Sequence, residues 1–462
     1  MAVPTSLSAF KAYDVRGKVP DELDDAMAVL IGRAFARLLG AKRVVVGRDA
    51  RETGPGLVAA LIQGLTESGV DVVDIGRVGT EEIYFANYHL GLDGGVMVTA
   101  SHNPGEYNGM KFVRERARPI SSDTGLIDIE TMVLQAMAGE GPVAAAPAGM
   151  KQGTVEAVDN KPAYVAHLLS HVEPAQLRPL RIVANCGNGM AGPVLELLEP
   201  NLPMELVLVY PEVDGTFPHG IPNPLLPENQ GVTSAAVVEH GADLGLAWDG
   251  DFDRCFFFDD RGRFVDGYYL VGLLAQRLLR NEPGGRVIHD PRLVWNTLEL
   301  VEAAGGVAVQ SKSGHAFIKQ VMREHDAVYG GEMSAHHYFR SFSYCDSGMI
   351  PWLLVVDLLS VTGRSLAELV DERISRFPVS GEINRQVADP VNAVARLRAR
   401  YGSQALSIDD MDGVSLEFDR WRCNLRPSNT EPVIRLNVET RGDRELLRQK
   451  TDELLAFLAE EA

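Results

Sequence analysis

Asp249, Asp251 and Asp253 fall on alternate positions of WDGDFDRC, between two apolar runs, so three carboxylates share one short loop. Unit charges ~4 Å apart repel by about 4 kcal/mol at an effective dielectric near 20, and such a loop calls for a cation. Because every donor is oxygen, the cation is magnesium or another hard ion. An EF-hand does not fit: the sixth position is Arg254 in place of Gly, the twelfth is Asp260 in place of Glu, and strands flank the loop. The plain alternative is a solvated acidic turn.

A second stretch, GGVMVTASHNPGEYNGMKF at 94–112, runs from an apolar strand into a loop carrying Ser101, His102 and Asn103, with Lys111 after Gly109. Serine is a weak nucleophile until a base, a metal or a charge cluster activates it. By themselves, Ser and Asn are also ordinary turn residues. In YGGEMSAHHYF at 329–339, Glu332, Ser334 and His336 alternate behind two glycines. An extended conformation puts all three on one face, where they suit the hydroxyls of a sugar. In LRPSNTEPVIRL at 425–436, Arg426 precedes Ser428, Asn429 and Thr430 between two prolines. That is a donor cluster matched to phosphate, or else a plain Asx-type turn.

One pattern points elsewhere. Gly187, Gly189 and Gly192 spell GxGxxG between a strand and a helix, and Glu212 and Asp214 follow at the end of the next strand. This satisfies the dinucleotide fingerprint and makes a nicotinamide-dependent dehydrogenase the rival enzyme class. That class leaves the acidic trio and the Ser101 loop without a role, and the glycines serve equally to pack strand against helix. A non-catalytic sugar-phosphate binding protein is the other rival, and it predicts binding without turnover.

The elements that must position these loops are α/β. Leu23, Met27, Leu30, Ile31, Ala34, Phe35 and Leu38 share a helical face that Gly40 ends before a strand from Arg43 to Val46. The same order of β-rich run, polar turn and helix returns at 180–199 and 285–306, which predicts parallel strands in α/β layers. The last segment reads as antiparallel strands around a loop, then a helix with Leu447, Leu454, Leu455 and Leu458 on one face. With 462 residues the chain is too long for one core. We divide it into 1–148 with the serine loop, 149–261 with the acidic loop, 262–376 with the Glu332 loop, and 377–462 with the Arg426 loop. The first break is the small-residue stretch AGEGPVAAAPAG.

Composition narrows the function. At 45% apolar and 23% charged residues the chain is that of a globular protein, and a net charge of −19 argues against a nucleic-acid or anionic-lipid face. Four scattered cysteines without a CxxC pair suit a reducing compartment. The N-terminal sequence has no apolar core for a signal peptide and is expected to stay in the mature protein. The most apolar run, Ile350 to Val356, is seven residues long where a membrane span needs ~20. A cytoplasmic protein outside the membrane is expected.

TASHNP at 99–104, DGDFDR at 249–254, GEMSAH at 331–336 and RPSNTEP at 426–432 resemble, in order and spacing, the four signature loops of the α-D-phosphohexomutase superfamily. AYDVRG at 12–17 and DGTFPHGIPNP at 214–224 extend the likeness, and the GEMS form is similar to the phosphomannomutase/phosphoglucomutase branch. The resemblance implies three similar mixed α/β domains and a C-terminal α+β domain like that of the TATA-binding protein, around a central cleft. It implies a Mg²⁺-dependent isomerase that interconverts hexose 1- and 6-phosphates of glucose, mannose or both, with glucose 1,6-bisphosphate as activator. A monomer follows from the same likeness.

Residue by residue, the resemblance makes Ser101 the phosphoryl carrier and a metal ligand through its phosphate, with Asp249, Asp251 and Asp253 as the other ligands and Arg254 beside them. Arg16, His102 and Lys111 carry over as catalytic neighbours and Tyr13 as a substrate contact nearby. Glu332, Ser334 and His336 carry over as sugar contacts, Gly314 and His315 of KSGHAFIK as a further substrate loop, and Arg426, Ser428, Asn429 and Thr430 as the clamp on the distal phosphate. Arg292 of HDPRL stands where relatives have Lys, which keeps the charge and changes its reach. Ala335 replaces the usual Gly, and Arg435 is not carried over because the second arginine of this loop is shifted. For the hydroxyl proton, His102 has the natural pKa, whereas Arg16 and Lys111 need strong perturbation.

Overall fold

Val44, Val45 and Val46 are fully buried in the strand Arg43–Arg48, because an uninterrupted β-branched run suits a parallel strand covered on both faces. The computed structural model describes residues 6–146, 149–428 and 433–459. The chain divides into two units, Met1–Arg263 with Ser341–Val361, and Phe264–Arg340 with Thr362–Ala462.

In the first unit, Gly94–Val98, Arg43–Arg48 and Asp71–Arg77 lie side by side and parallel, and Tyr107–Arg114 returns antiparallel beside Gly94–Val98. Val15–Lys18 and Val155–Ala157 extend the two edges. A second sheet repeats the order: Leu244–Trp248, Arg181–Asn185 and Glu205–Val209 are parallel, with Cys255–Phe258 antiparallel to Leu244–Trp248. The second unit holds the third copy, in which Tyr329–Gly331, Arg286–His289 and Val307–Gln310 are parallel and His337–Phe339 is antiparallel to Tyr329–Gly331.

This repeat is what places the chemistry. In each copy the chain leaves the third parallel strand, turns, and comes back antiparallel. The turns are those bearing Ser101, the three aspartates, and Glu332. All three therefore sit at the carboxyl ends of parallel strands, where α/β sheets offer loops to ligands.

The fourth sheet is antiparallel throughout, in the order Ile383–Arg385, Ile434–Thr440, Trp421–Pro427, Val414–Glu417, Ser407–Asp409. The final helix, Arg444–Ala459, buries Leu454, Phe457 and Leu458 in one core with Leu416, Leu425 and Leu436. The expected architecture of three similar α/β sheets and a C-terminal α+β domain is thus found.

Local details differ. Leu23, expected on the first helical face, precedes the helix, which runs Asp25–Leu39 because the Asp24 carboxylate caps it by accepting from the Met27 N–H at 2.7 Å. The run Ile350 to Val356 forms the wholly buried start of the helix Ile350–Thr362. No helix among the described residues is long and apolar enough to cross a membrane. The four cysteines are buried and form no disulfide.

Candidate active site

The first constellation lies within the first unit. The Ser101 hydroxyl donates to Asp249 Oδ2 at 2.9 Å and lies 3.0 Å from His102 Nδ1. Its backbone is left-handed, with φ of 48°, which an L-residue holds only where the surroundings over-determine it. Arg254 donates through Nη2 to Asp249 Oδ2 at 2.7 Å and to His102 Nδ1 at 2.5 Å. A guanidinium can only donate, so His102 Nδ1 is an acceptor and the ring is the neutral Nε2–H tautomer. Burial first, and then the Arg254 charge, push the His102 pKa well below its ordinary value.

Lys111 Nζ reaches Asp251 Oδ2 at 2.7 Å and Asp253 Oδ2 at 2.6 Å. Burial opposes its charge, but the two carboxylates outweigh burial and raise its pKa. Asp251 is held below the usual carboxylate range despite its burial, by Lys111 and by the Thr80 hydroxyl, which donates to Asp251 Oδ2 at 2.5 Å. Arg16 donates to Asp14 Oδ2 at 2.7 Å and to Asn103 Oδ1 at 2.6 Å, tying it to the serine loop.

Does this cluster fit a divalent cation? One ligand oxygen from each aspartate lies within 4.8 Å of the other two, and Asp251 Oδ1 is buried without a hydrogen-bond partner. Three carboxylates against Lys111 and Arg254 leave one negative charge in a buried place. An all-oxygen set with an orphaned carboxylate oxygen suits a hard ion, so the residues fit.

The sequence reading missed the brace beneath this loop. Arg51 is 1% exposed and donates to four backbone carbonyls of the serine loop: Ser101 and Asn103 through Nη2, Pro104 and Tyr107 through Nη1. Asp49 lies 3.4 Å from Arg51 Nε and accepts from the Thr99 hydroxyl at 2.6 Å, while Thr99 Oγ1 accepts from the Ser101 N–H at 2.9 Å. The signal available was the charged GRDAR at 47–51 directly after a valine strand. Removing one partner of a buried, hydrogen-bonded charge pair costs about 3–5 kcal/mol. Arg51→Met should therefore lower the unfolding free energy by about that much, measured by urea titration; a loss under about 1 kcal/mol would mean the loop holds itself.

A second constellation lies within the second unit. Glu332, Ser334 and His336 were expected to alternate along an extended segment. They occupy a turn instead: the Glu332 N–H donates to His336 O at 2.9 Å, the Ala335 N–H to Glu332 O at 3.1 Å, and Ala335 is left-handed with φ of 67°. Period-two alternation says nothing about a turn that closes on itself. Glu332 accepts from the Gly314 N–H at 2.8 Å and from the Tyr338 hydroxyl at 2.6 Å, which joins the KSGH loop to the GEMS loop. Gly314 caps the helix His315–His325, so His315 opens that helix.

Arg292 is held by Asp290, at 2.8 Å from Nη2 to Oδ2 and 3.1 Å from Nε to Oδ1, and it lies 3.5 Å from Ser334 Oγ. Its Nη1 faces Glu382, which also faces Arg426 and Arg435. Glu382 had no signal in the sequence, and Arg435, set aside there, belongs to this group. The Ser428 N–H donates to Val433 O at 2.9 Å. Asn429 and Thr430 lie outside the described residues.

The GxGxxG glycines have a packing role. A Cβ on Gly189 would lie 2.7 Å from Gly250 O of the acidic loop, and one on Gly192 would lie 2.2 Å from Pro211 O. The following strand, Glu205–Val209, ends before Glu212 and Asp214, and Asp214 Oδ1 accepts from Thr216 in a local turn. Gly189 lets the acidic loop approach, and Gly192 lets the Pro211 backbone do so.

Models of four phosphoglucomutase/phosphomannomutase domains match the chain in order: alpha/beta/alpha domain I over residues 7–138, domain II over 162–262, domain III over 266–377, and the C-terminal domain over 382–456. The chain is 59% identical over 453 residues to the phosphohexose mutases of Xanthomonas campestris pv. campestris, covering 98% of this chain and 99% of that one. It is 55% identical over 459 residues to the phosphomannomutase of Salmonella typhimurium, again covering 98% and 99%. Among solved structures, a phosphoglucomutase/phosphomannomutase family protein from Burkholderia thailandensis superposes with a TM-score of 0.87 at 32% identity, covering 99% of this chain and 98% of that one.

Proposed function

The chain belongs to the phosphoglucomutase/phosphomannomutase family and is a phosphohexomutase, and we propose that it works through a phosphorylated Ser101 and a hexose 1,6-bisphosphate, on glucose and mannose phosphates. In the first half-reaction the bond from Ser101 Oγ to phosphorus breaks and a bond forms from phosphorus to the free O6 or O1 of the substrate. The substrate hydroxyl gives up its proton and Ser101 Oγ gains one as its bond to phosphorus breaks, so the products are free Ser101 and the bisphosphate. In the second half-reaction the bisphosphate, turned around, breaks its other oxygen–phosphorus bond and returns that phosphate to Ser101 Oγ, whose proton is exchanged for one on the sugar oxygen set free.

The observation that carries this reading is the Ser101 hydroxyl, held in a strained backbone 2.9 Å from the first carboxylate of a buried three-aspartate cluster. Asp249, Asp251, Asp253 and an oxygen of the phosphoserine would hold Mg²⁺, which when bound neutralises charge on the phosphoryl oxygens in the transition state. Lys111 and Arg254 are fixed cations paired with the acidic loop and Arg16 acts on the same carboxylates, and little covalent work remains for the protein in a loose transition state. Neutral His102 takes a hydrogen bond from Arg254 at Nδ1, while Asp249 Oδ2 accepts from the Ser101 hydroxyl and positions it. Lys111 with its raised pKa is a charge donor and not a base.

Glu332, Ser334, His336, Gly314, His315 and Tyr13 are assigned to the sugar, and Arg292, Arg426, Ser428, Asn429 and Thr430 to the distal phosphate. Glucose 1,6-bisphosphate primes the serine. We place the protein in the cytoplasm, in keeping with its four reduced, buried cysteines. The test is conversion of glucose 1-phosphate and of mannose 1-phosphate to the 6-phosphates, with a trace of the matching 1,6-bisphosphate. Both conversions are expected, with one phosphate on the intact protein mapping to Ser101. Full turnover with no phosphate ever found on Ser101 would overturn the mechanism.

A further inference from the structure

Arg426 and Arg435 are direct cross-strand partners in the register of Trp421–Pro427 with Ile434–Thr440. Like charges directly opposite destabilise a sheet unless an anion lies between them. Glu382, one residue before the strand Ile383–Arg385 that pairs with the other edge of Ile434–Thr440, supplies that anion. Its Oε2 lies 3.3 Å from Arg426 Nη2 and 3.4 Å from Arg292 Nη1, and its Oε1 lies 3.5 Å from Arg435 Nη1. Burial opposes the carboxylate charge, but the three arginines outweigh it and lower the Glu382 pKa.

Two details separate this carboxylate from a permanent strut. All three contacts are long for charge-assisted hydrogen bonds, whereas Arg292 meets Asp290 at 2.8 Å. The arginine Arg426 is 4% exposed and its Nε is buried with no hydrogen-bond partner, so Glu382 leaves part of this guanidinium unused. Glu382, with Asp290 and Glu332 near Arg292 and Asp412 3.9 Å from Arg426 Nη1, offsets the charge of these guanidinium groups without pairing Arg426 Nε. A phosphate dianion has the charge and the oxygens to do both.

We propose that Glu382 is an exchangeable counter-ion of the distal-phosphate site: it covers Arg292, Arg426 and Arg435 when the phosphate leaves, and so eases the release that the bisphosphate needs in order to turn around. This rests on the reading of Arg292 and Arg426 as part of the distal-phosphate clamp, to which Arg435 is joined by its contact with Glu382. The competition has a sign. An enzyme without the Glu382 charge holds phosphate more tightly and turns over more slowly, because the bound state gains what the released state loses.

The experiment is titration of the full chain with inorganic phosphate at low ionic strength, together with steady-state kinetics on glucose 1-phosphate. Glu382→Gln should bind phosphate about fivefold tighter or more, with the difference shrinking in high salt. Adding Arg426→Ala to it should abolish the gain. The kcat and KM of Glu382→Gln should fall together, whereas structural damage would raise KM. Glu382→Asp, which keeps the charge on a shorter arm, should lie between wild type and Glu382→Gln and serves if the latter does not fold, as judged by its melting. Phosphate binding equal to or weaker than wild type in a folded variant, or a raised KM, would overturn the proposal. A wild type that binds phosphate at Arg426 but does not turn over would instead overturn the mutase mechanism and leave the titration result standing.

Discussion

Ser101→Ala should abolish mutase turnover by about 10⁴-fold or more, since it deletes the atom that carries the group between the two half-reactions. Little of the fold depends on that oxygen. The loop is held by Arg51 on its carbonyls and by Thr99 on the Ser101 N–H, and neither contact uses the side chain. The variant should therefore melt close to wild type. Hexose-phosphate binding should also survive, because the residues assigned to sugar and distal phosphate stand on other turns. Initial rates of both proteins in the same assay, with intact mass before and after incubation with glucose 1,6-bisphosphate, give the answer. Alanine enzyme within tenfold of wild type would remove Ser101 from the mechanism.

Removing charge from the acidic cluster should come next in size. Asp251 is fully buried, and its Oδ2 already serves Lys111 and Thr80 while Oδ1 has no partner. Asp251→Asn keeps the shape but takes one negative charge from a site where cation affinity rests on charge. A metal contributes several kcal/mol to transition-state charge, so at about 1.4 kcal/mol per tenfold the rate should fall about 10²–10³-fold. Chelator treatment of the wild type should give a loss of the same order, restored by adding Mg²⁺. The loss should appear in kcat more than in KM, because the ion acts on charge that develops during transfer. Chelated enzyme running at full speed would make the aspartates a structural ion-pair network with Lys111 and Arg254.

Much of this was readable along the chain, for a physical reason in each case. Asp249, Asp251 and Asp253 declare themselves because three carboxylates within five residues need an explanation wherever they fold. The α/β class follows from short β-branched runs followed by helices, and the C-terminal α+β domain from its change of period. The four signature loops are local segments, so their residues are neighbours before any folding takes place.

What depends on distance in sequence was not readable. That the serine, aspartate and Glu332 turns are the same turn of one repeated sheet order appears only in strand pairing, which alternation along one strand does not encode. The Glu332 turn looked extended from its alternating residues, whereas its backbone is set by a left-handed Ala335 and by hydrogen bonds to its own carbonyls. Arg51 and Glu382 carry no motif, and each gains its role from partners about 50 to 90 residues away. Residue type and local spacing therefore determined which chemistry the chain offers. Tertiary structure decided which charges are buried together, because desolvation and ion pairing act on proximity in space, and only the fold sets that.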